Sequence, residues 1–355
     1  MGTYQALIGY SKTILIKIFK MQKTKINIII IVLLIAGYGT AKAQQNIQFT
    51  QYMFNSLSVN PAYAGYKEEW FAQTALRNQW VGIDGAPRTG SVSIDGILDP
   101  VAKKMGVGLQ LTADKLGPQS SVSAYFNYSY RLQLDAEDTK RLSFGLGVGM
   151  TNYSLNGGLL NPVNINDSQI PNNQFSNFIP DARIGIYYNT AKFYAGLSVT
   201  DLFSGDRSTN FFDWNSVSFE NVKRKRHLYL ILGMLNTITD DFKLRPSLLI
   251  KSDFSGPTSL DINTMAIFKD RFWFGGSYRT SINIENSNFA QGQEVTTVNS
   301  VSAVTQFFAT DQLRIGYSYD FTLNGLRNQQ SGSHEFTLGF TIPGRTKRII
   351  NPRYF

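Results

Sequence analysis

The chain has 355 residues and a formal net charge of +9, with 17% charged residues, 13% aromatic residues, thirty glycines and no cysteine. The missing thiol excludes disulfides, thiolate metal sites, a cysteine nucleophile and a lipidated N-terminal cysteine. The positive charge is spread over turns and tails rather than gathered into one stripe with interleaved aromatics, so no nucleic-acid partner is expected.

Residues 1–20 precede a second methionine and are read as an upstream extension, outside the fold. Residues 21–43 have the three parts of a secretory signal: Met21-Gln-Lys-Thr-Lys25, the apolar run 26–36, and Ala41-Lys-Ala43. Cleavage is expected before Gln44. The apolar run falls short of the roughly 20 residues a spanning helix needs.

Residues 44–69 have neither signal nor strand pattern. The stretch from Gln48 to Gly65 is aromatic, rich in amides, without charge and broken by Asn60-Pro61, which predicts an extended or turning segment rather than a helix.

From residue 70 the chain resolves into segments of about ten residues with period two. Met105, Val107, Leu109 and Leu111 alternate with Gly106, Gly108, Gln110 and Thr112; Phe126, Tyr128 and Tyr130 alternate with Asn127, Ser129 and Arg131. Leu142 to Met150, Leu313 to Phe321 and Phe336 to Ile342 repeat the pattern, and weaker strands lie near 70–79, 88–98, 181–189, 192–201, 227–236, 242–251, 258–268, 271–280 and 297–309. The total is about fourteen. Short connections (99–104, 135–140, 189–192, 237–241, 269–271, 310–312) alternate with mostly longer ones (78–87, 114–120, 157–180, 204–226, 253–257, 280–296, 324–333). Such asymmetry predicts an all-β transmembrane antiparallel barrel over 70–343, with short periplasmic turns and long extracellular loops. One face of each strand carries Leu, Val, Phe and Tyr and the other Gly, Ser, Thr, Asn and Gln, as expected with lipid outside and water inside. Trp70, Trp80, Tyr128, Tyr130, Trp273, Tyr317 and Tyr319 are placed near strand ends, where an interfacial girdle sits.

No catalytic, cofactor or metal site is legible. The two histidines, His227 and His334, each lie at the outer end of a strand. The serine and carboxylate in Ser331-Gly-Ser-His-Glu335 do not form a triad, because adjacent strand residues face opposite ways. His334 and Glu335 are read as a structural or recognition pair at the extracellular rim. No His and carboxylate cluster has ligand spacing. Gly145-Leu-Gly-Val-Gly149 is read as one small-residue face leaving room in the lumen. Lys223, Arg224, Lys225 and Arg226 close a long outer loop and suit a solvated rim or contact with anionic lipopolysaccharide. The tail 344–355 is expected in the periplasm, where Arg345, Lys347, Arg348, Arg353, Tyr354 and Phe355 would dock a partner or serve as an assembly signal.

Gln48-Phe-Thr-Gln-Tyr-Met-Phe-Asn55, Asn60-Pro-Ala-Tyr-Ala-Gly65, Arg77-Asn-Gln-Trp-Val-Gly-Ile-Asp-Gly-Ala-Pro87, Trp273-Phe-Gly-Gly-Ser-Tyr-Arg279, Ile315-Gly-Tyr-Ser-Tyr-Asp320 and Gly332-Ser-His-Glu335 together resemble the PorP/SprF family of Bacteroidota, associated with type IX secretion and gliding motility. The resemblance spans essentially the whole mature chain. It implies a non-enzymatic outer-membrane accessory that supports export or surface attachment of a large adhesin through the cargo's C-terminal sorting domain. It also implies contacts with periplasmic secretion or peptidoglycan-linked proteins. The tail Asn351-Pro-Arg-Tyr-Phe355 is similar to tails of relatives, which favours docking. The competing expectation is a diffusion channel or transporter for small solutes. On the strand count, residues 44–69 become a plug candidate across the periplasmic mouth, with Phe49, Tyr52, Phe54, Asn60, Pro61 and Tyr63 as its packing and turning residues.

Overall fold

The computed structural model describes residues 47–159, 174–204, 225–254, 257–282 and 299–342. The expected signal (21–43), the upstream extension and the C-terminal tail lie outside the described residues.

Fifteen strand segments form one antiparallel sheet: β1 (Trp70–Asn78), β2 (Arg88–Ile97), β3 (Met105–Leu116), β4 (Gln119–Gln133), β5 (Arg141–Asn156), β6 (Gln174–Asn189), β7 (Phe193–Thr200), β8 (His227–Met234), β9 (Asn236–Thr239), β10 (Phe242–Ser252), β11 (Thr258–Phe268), β12 (Phe272–Ile282), β13 (Ser300–Phe308), β14 (Leu313–Thr322) and β15 (Ser333–Ile342). β8 and β9 lie end to end along β10, so the segments fill fourteen barrel positions. Each strand pairs with its sequence neighbour, and β1 pairs with β15 from Trp70↔Ile342 to Asn78↔His334. The sheet is thereby closed. Closure leaves no unpaired edge, which hydrocarbon requires because nothing there can satisfy an exposed N–H or C=O. No described helix is long and apolar enough to cross a membrane, so the crossing is made by strands.

The alternation resolves as expected from the sequence. Leu109, Leu111, Phe126, Leu146 and Val148 face outward and are exposed, while Gln110, Thr112, Asn127 and Ser129 face the lumen and are buried. Trp273 is an exception among the aromatics assigned to the girdle. It is 4% exposed and points inward, because its parity is opposite to that of Phe272 and Phe274, which are exposed.

The strands on one side of the barrel are longer than about eleven residues, the usual span of a membrane strand. β3 has 12, β4 15, and β5 and β6 16 residues each. The expected outer loop at 114–120 is therefore mostly strand, turned by Gly117 and Pro118 alone, with Gly117 at φ +55°. Its polar composition reflects a hairpin rising above the hydrocarbon rather than a loop.

The outward face predicts its own test. Leu109→Arg puts a cation into the lipid-facing band and is expected to cost about 2–4 kcal/mol, read by urea titration of folding into liposomes. An unchanged midpoint would place this face outside hydrocarbon.

Candidate functional site

The lumen holds residues 47–69. After Thr50 the segment makes three single 3₁₀ turns, Tyr52–Phe54, Ser56–Ser58 and Pro61–Tyr63. Asn60 starts the last one: its Oδ1 accepts the Ala62 N–H at 2.9 Å, and Pro61 occupies the first position, where a missing N–H costs nothing. The Asn60 amide also donates to the Ile186 carbonyl at 3.0 Å, tying the turn to β6. Phe49, Tyr52, Phe54, Asn60, Pro61 and Tyr63 are all buried.

The segment starts near the long-connection end of the barrel. The Gln48 amide donates to Asp261 at 3.1 Å, close to the start of β11. Thr50 and Gln51 sit against Arg77, Asp320 and Glu335, each within two residues of the long-connection end of its strand. The chain then descends. The Met53 carbonyl accepts from Arg245 at 3.3 Å, and Phe54 packs on Trp273 with ring centroids 5.5 Å apart. Val59 is held by the Ser198 hydroxyl, Ala62 lies against Gly145, and the Ala64 carbonyl accepts from Ser129 at 2.6 Å. From Met53 to Ala64 the segment thus crosses the short-turn half of the lumen, while its start reaches the outer half.

Two glycines permit that crossing. A Cβ at Gly106 would lie 2.0 Å from the Ala64 carbonyl oxygen, and one at Gly145 would lie 2.1 Å from the Ala62 nitrogen. The obstruction in each case is backbone, which cannot swing away. The aromatic contacts follow: Tyr63 stacks on Tyr66 at 5.0 Å and meets Tyr187 edge-on at 5.6 Å. Burial holds the Tyr52 and Tyr63 hydroxyls above the ordinary phenol range, so both remain neutral. Each large apolar side chain so buried contributes roughly 1.5–3 kcal/mol relative to exposure.

The polar anchors lie at the two ends of the segment. At the outer end, Arg77 donates to Asp320 at 2.6 Å, to Glu335 at 3.0 Å and to the Thr50 hydroxyl at 2.8 Å. Glu335 accepts the Thr50 and Gln51 backbone N–H groups at 2.8 and 2.9 Å, one on each carboxylate oxygen. Thr50 Oγ1 donates to Asp320 at 2.8 Å. Beside this group Arg279 pairs with Asp261. At the short-turn end, the Gly65 N–H donates to Asp95 at 3.0 Å, and Glu68 takes Lys103 at 2.7 Å and Arg131 at 3.4 Å. The segment is clamped at both ends by ionised groups.

Expectations for the rim need correction. Glu335 is not at the surface: it is fully buried in the lumen, whereas His334 faces outward with its Nδ1 2.8 Å from the Tyr317 hydroxyl. The two do not form a pair because neighbours on a strand point to opposite faces. Arg226 is exposed and Lys225 half-buried; Lys223 and Arg224 lie outside the described residues, as do Arg345, Lys347, Arg348, Arg353, Tyr354 and Phe355. Among the described residues no three His, Asp or Glu side chains converge as metal ligands would. The clamp residues Arg77, Asp95, Asp261, Arg279 and Asp320 escaped the search for sites. Their signal was available: each is a charge at lumen-facing parity within a strand, where an unpaired ion is costly.

A family model described as type IX secretion system membrane protein PorP/SprF matches residues 41–340. No curated protein matches the chain. Among solved structures, the CymD monoaromatic hydrocarbon channel is similar at 11% identity, over 87% of this chain and 96% of its own, with a TM-score of 0.50. The Ralstonia pickettii toluene transporter TbuX follows at 8% identity, over 81% and 93%, with a TM-score of 0.46. The likeness to CymD is one of barrel fold.

Removing the central cation tests the outer clamp. Arg77→Ala leaves two carboxylates buried without their partner, a change expected to cost about 3–5 kcal/mol. The chain has no cysteine, so a Gln48→Cys reporter gives clean maleimide labelling, which is expected to accelerate at least tenfold in the Arg77→Ala background. Equal labelling rates would mean that Arg77 does not hold the segment.

Proposed function

Because the chain belongs to the PorP/SprF family of type IX secretion system membrane proteins, we propose that it works in the outer membrane as a closed docking barrel. In this role it supports export and surface attachment of a large adhesin or similar cargo through the cargo's C-terminal sorting domain, in association with periplasmic secretion or peptidoglycan-linked proteins. The observation that carries the proposal is the occupied lumen. A conduit for small solutes needs a path, and here residues 47–69 fill the short-turn half with aromatic side chains and are clamped at both ends. A sealed barrel instead offers a rigid framework in which loops and mouths are the working surfaces.

Two measurements follow. Deleting residues 44–60 is expected to raise single-channel conductance in planar bilayers from near zero to a resolvable open level; a deletion barrel as closed as the full chain would sink the plug role. Loss of the gene is expected to strip one or a few adhesins from the cell surface while other type IX cargo is still exported, read by surface proteomics. Loss of every cargo at once would contradict a cargo-specific accessory.

A further inference from the structure

The lipid-facing side of the outer rim has an arrangement that the lumen does not explain. Registers across five strand pairs place Tyr319, His334, Asn78, Arg88, Lys115 and Ser120 in one row around the barrel. All six are at outward parity. One step down lies the row Tyr317, Phe336, Leu76, Gly90, Ala113 and Val122, and the next row continues as Ile315, Leu338, Thr74, Val92, Leu111 and Ala124. The polar row thus sits at the long-connection ends of β1 and β2, directly above hydrocarbon-facing residues.

Within the polar row Arg88 and Lys115 are direct cross-strand partners, and both are exposed. Directly opposed like charges repel, their Cβ atoms being about 5 Å apart. Neither side chain is in an ion pair among the described residues. Beneath them Gly90 and Ala113 carry almost no side chain, while Leu76 and Val122 on either side are 60% and 57% exposed. The result is a trough roughly two strand spacings wide, about 10 Å, opening into a cleft of about 430 Å³ whose lining includes Leu76, Asn78, Arg88, Lys115 and Val122 and also Asp114, at inward parity, whose carboxylate accepts from the Thr89 hydroxyl.

We propose that this is a binding site for an anionic lipid of the outer leaflet, a phosphorylated glycolipid whose phosphate bridges Arg88 and Lys115 and whose acyl chain lies in the Gly90 and Ala113 trough. Two observations commit the site to a lipid rather than a protein or a free ion. The cations are on the lipid-facing side, and the apolar trough begins at the next outward-facing row, two residues along each strand. The phosphate supplies the opposite charge that the like-charged pair lacks, through charge-assisted hydrogen bonds. Asn78 and Ser120, flanking the cations in the same row, supply further hydrogen-bonding groups for a sugar headgroup. The site is distinct from the basic loop residues Lys225 and Arg226, which precede β8.

The test uses the full barrel in detergent micelles, probed by native mass spectrometry with diphosphoryl lipid A, its dephosphorylated form and inorganic phosphate. Wild type is expected to retain one diphosphoryl lipid A in preference to the dephosphorylated form. The double variant R88Q/K115Q should lower that retention at least tenfold, the scale of losing one or more hydrogen bonds to a charged group. Gly90→Leu fills the trough while leaving both cations, and should weaken retention of lipid A without changing the response to inorganic phosphate. Heat-modifiable gel mobility checks that each variant is a folded barrel; these surface positions carry no lumen contact. Equal retention of the two lipid A forms by wild type, or undiminished retention by R88Q/K115Q, would overturn the site. Displacement of lipid A by inorganic phosphate alone would also overturn it, since the acyl trough would then contribute nothing.

Discussion

The structure depends on one constraint: a strand in hydrocarbon has to find both of its hydrogen-bonding neighbours within the protein. Closure of β1 onto β15 and of β10 onto β11 meets it. Closure also creates an interior, and a fourteen-position barrel encloses more space than strand side chains of glycine, serine and threonine can fill. The N-terminal segment occupies that space. Glycines on the inner wall admit the segment's backbone at Ala62 and Ala64, and wall aromatics such as Tyr187 and Trp273 receive its Tyr63 and Phe54 rings.

Electrostatics fixes the segment where packing alone would let it slide. Non-directional packing of the segment's aromatic side chains on Tyr187 and Trp273 fills volume but specifies register less sharply than a directed hydrogen bond does. Glu335, with one oxygen on each of two successive backbone N–H groups, specifies the position of Thr50 and Gln51. Such a carboxylate would be costly in a barrel wall without Arg77 beside it, and Arg77 would be equally costly without its two carboxylates. The outer clamp and the Glu68 clamp at the short-turn mouth thus hold the two ends of a segment whose middle is held by burial.

Much of this was legible beforehand. The fourteen strands, their two faces and the alternation of connection lengths follow from period-two patterning, since each strand between water and lipid must segregate its side chains on its own. Residues 48–65 stood out because they break that pattern. Two local signals misled. The polar run at 114–120 marks a hairpin standing above the membrane, and Trp273 near a strand end belongs to the lumen because its parity outweighs its residue type. The role of Glu335 was obscured by treating it with His334 as one unit.

The sequence by itself determined barrel class, strand count and which residues meet lipid, because each is set by composition or by spacing over about ten residues. Only the tertiary structure decided how the N-terminal segment lies in the lumen and which charges hold it. Thr50 and Glu335 are 285 residues apart, and no local pattern relates them. They meet because closure brings the outer ends of β1, β14 and β15 together around the place where the segment begins. The charges read singly along the chain as scattered become one clamp only when the sheet has joined its own ends.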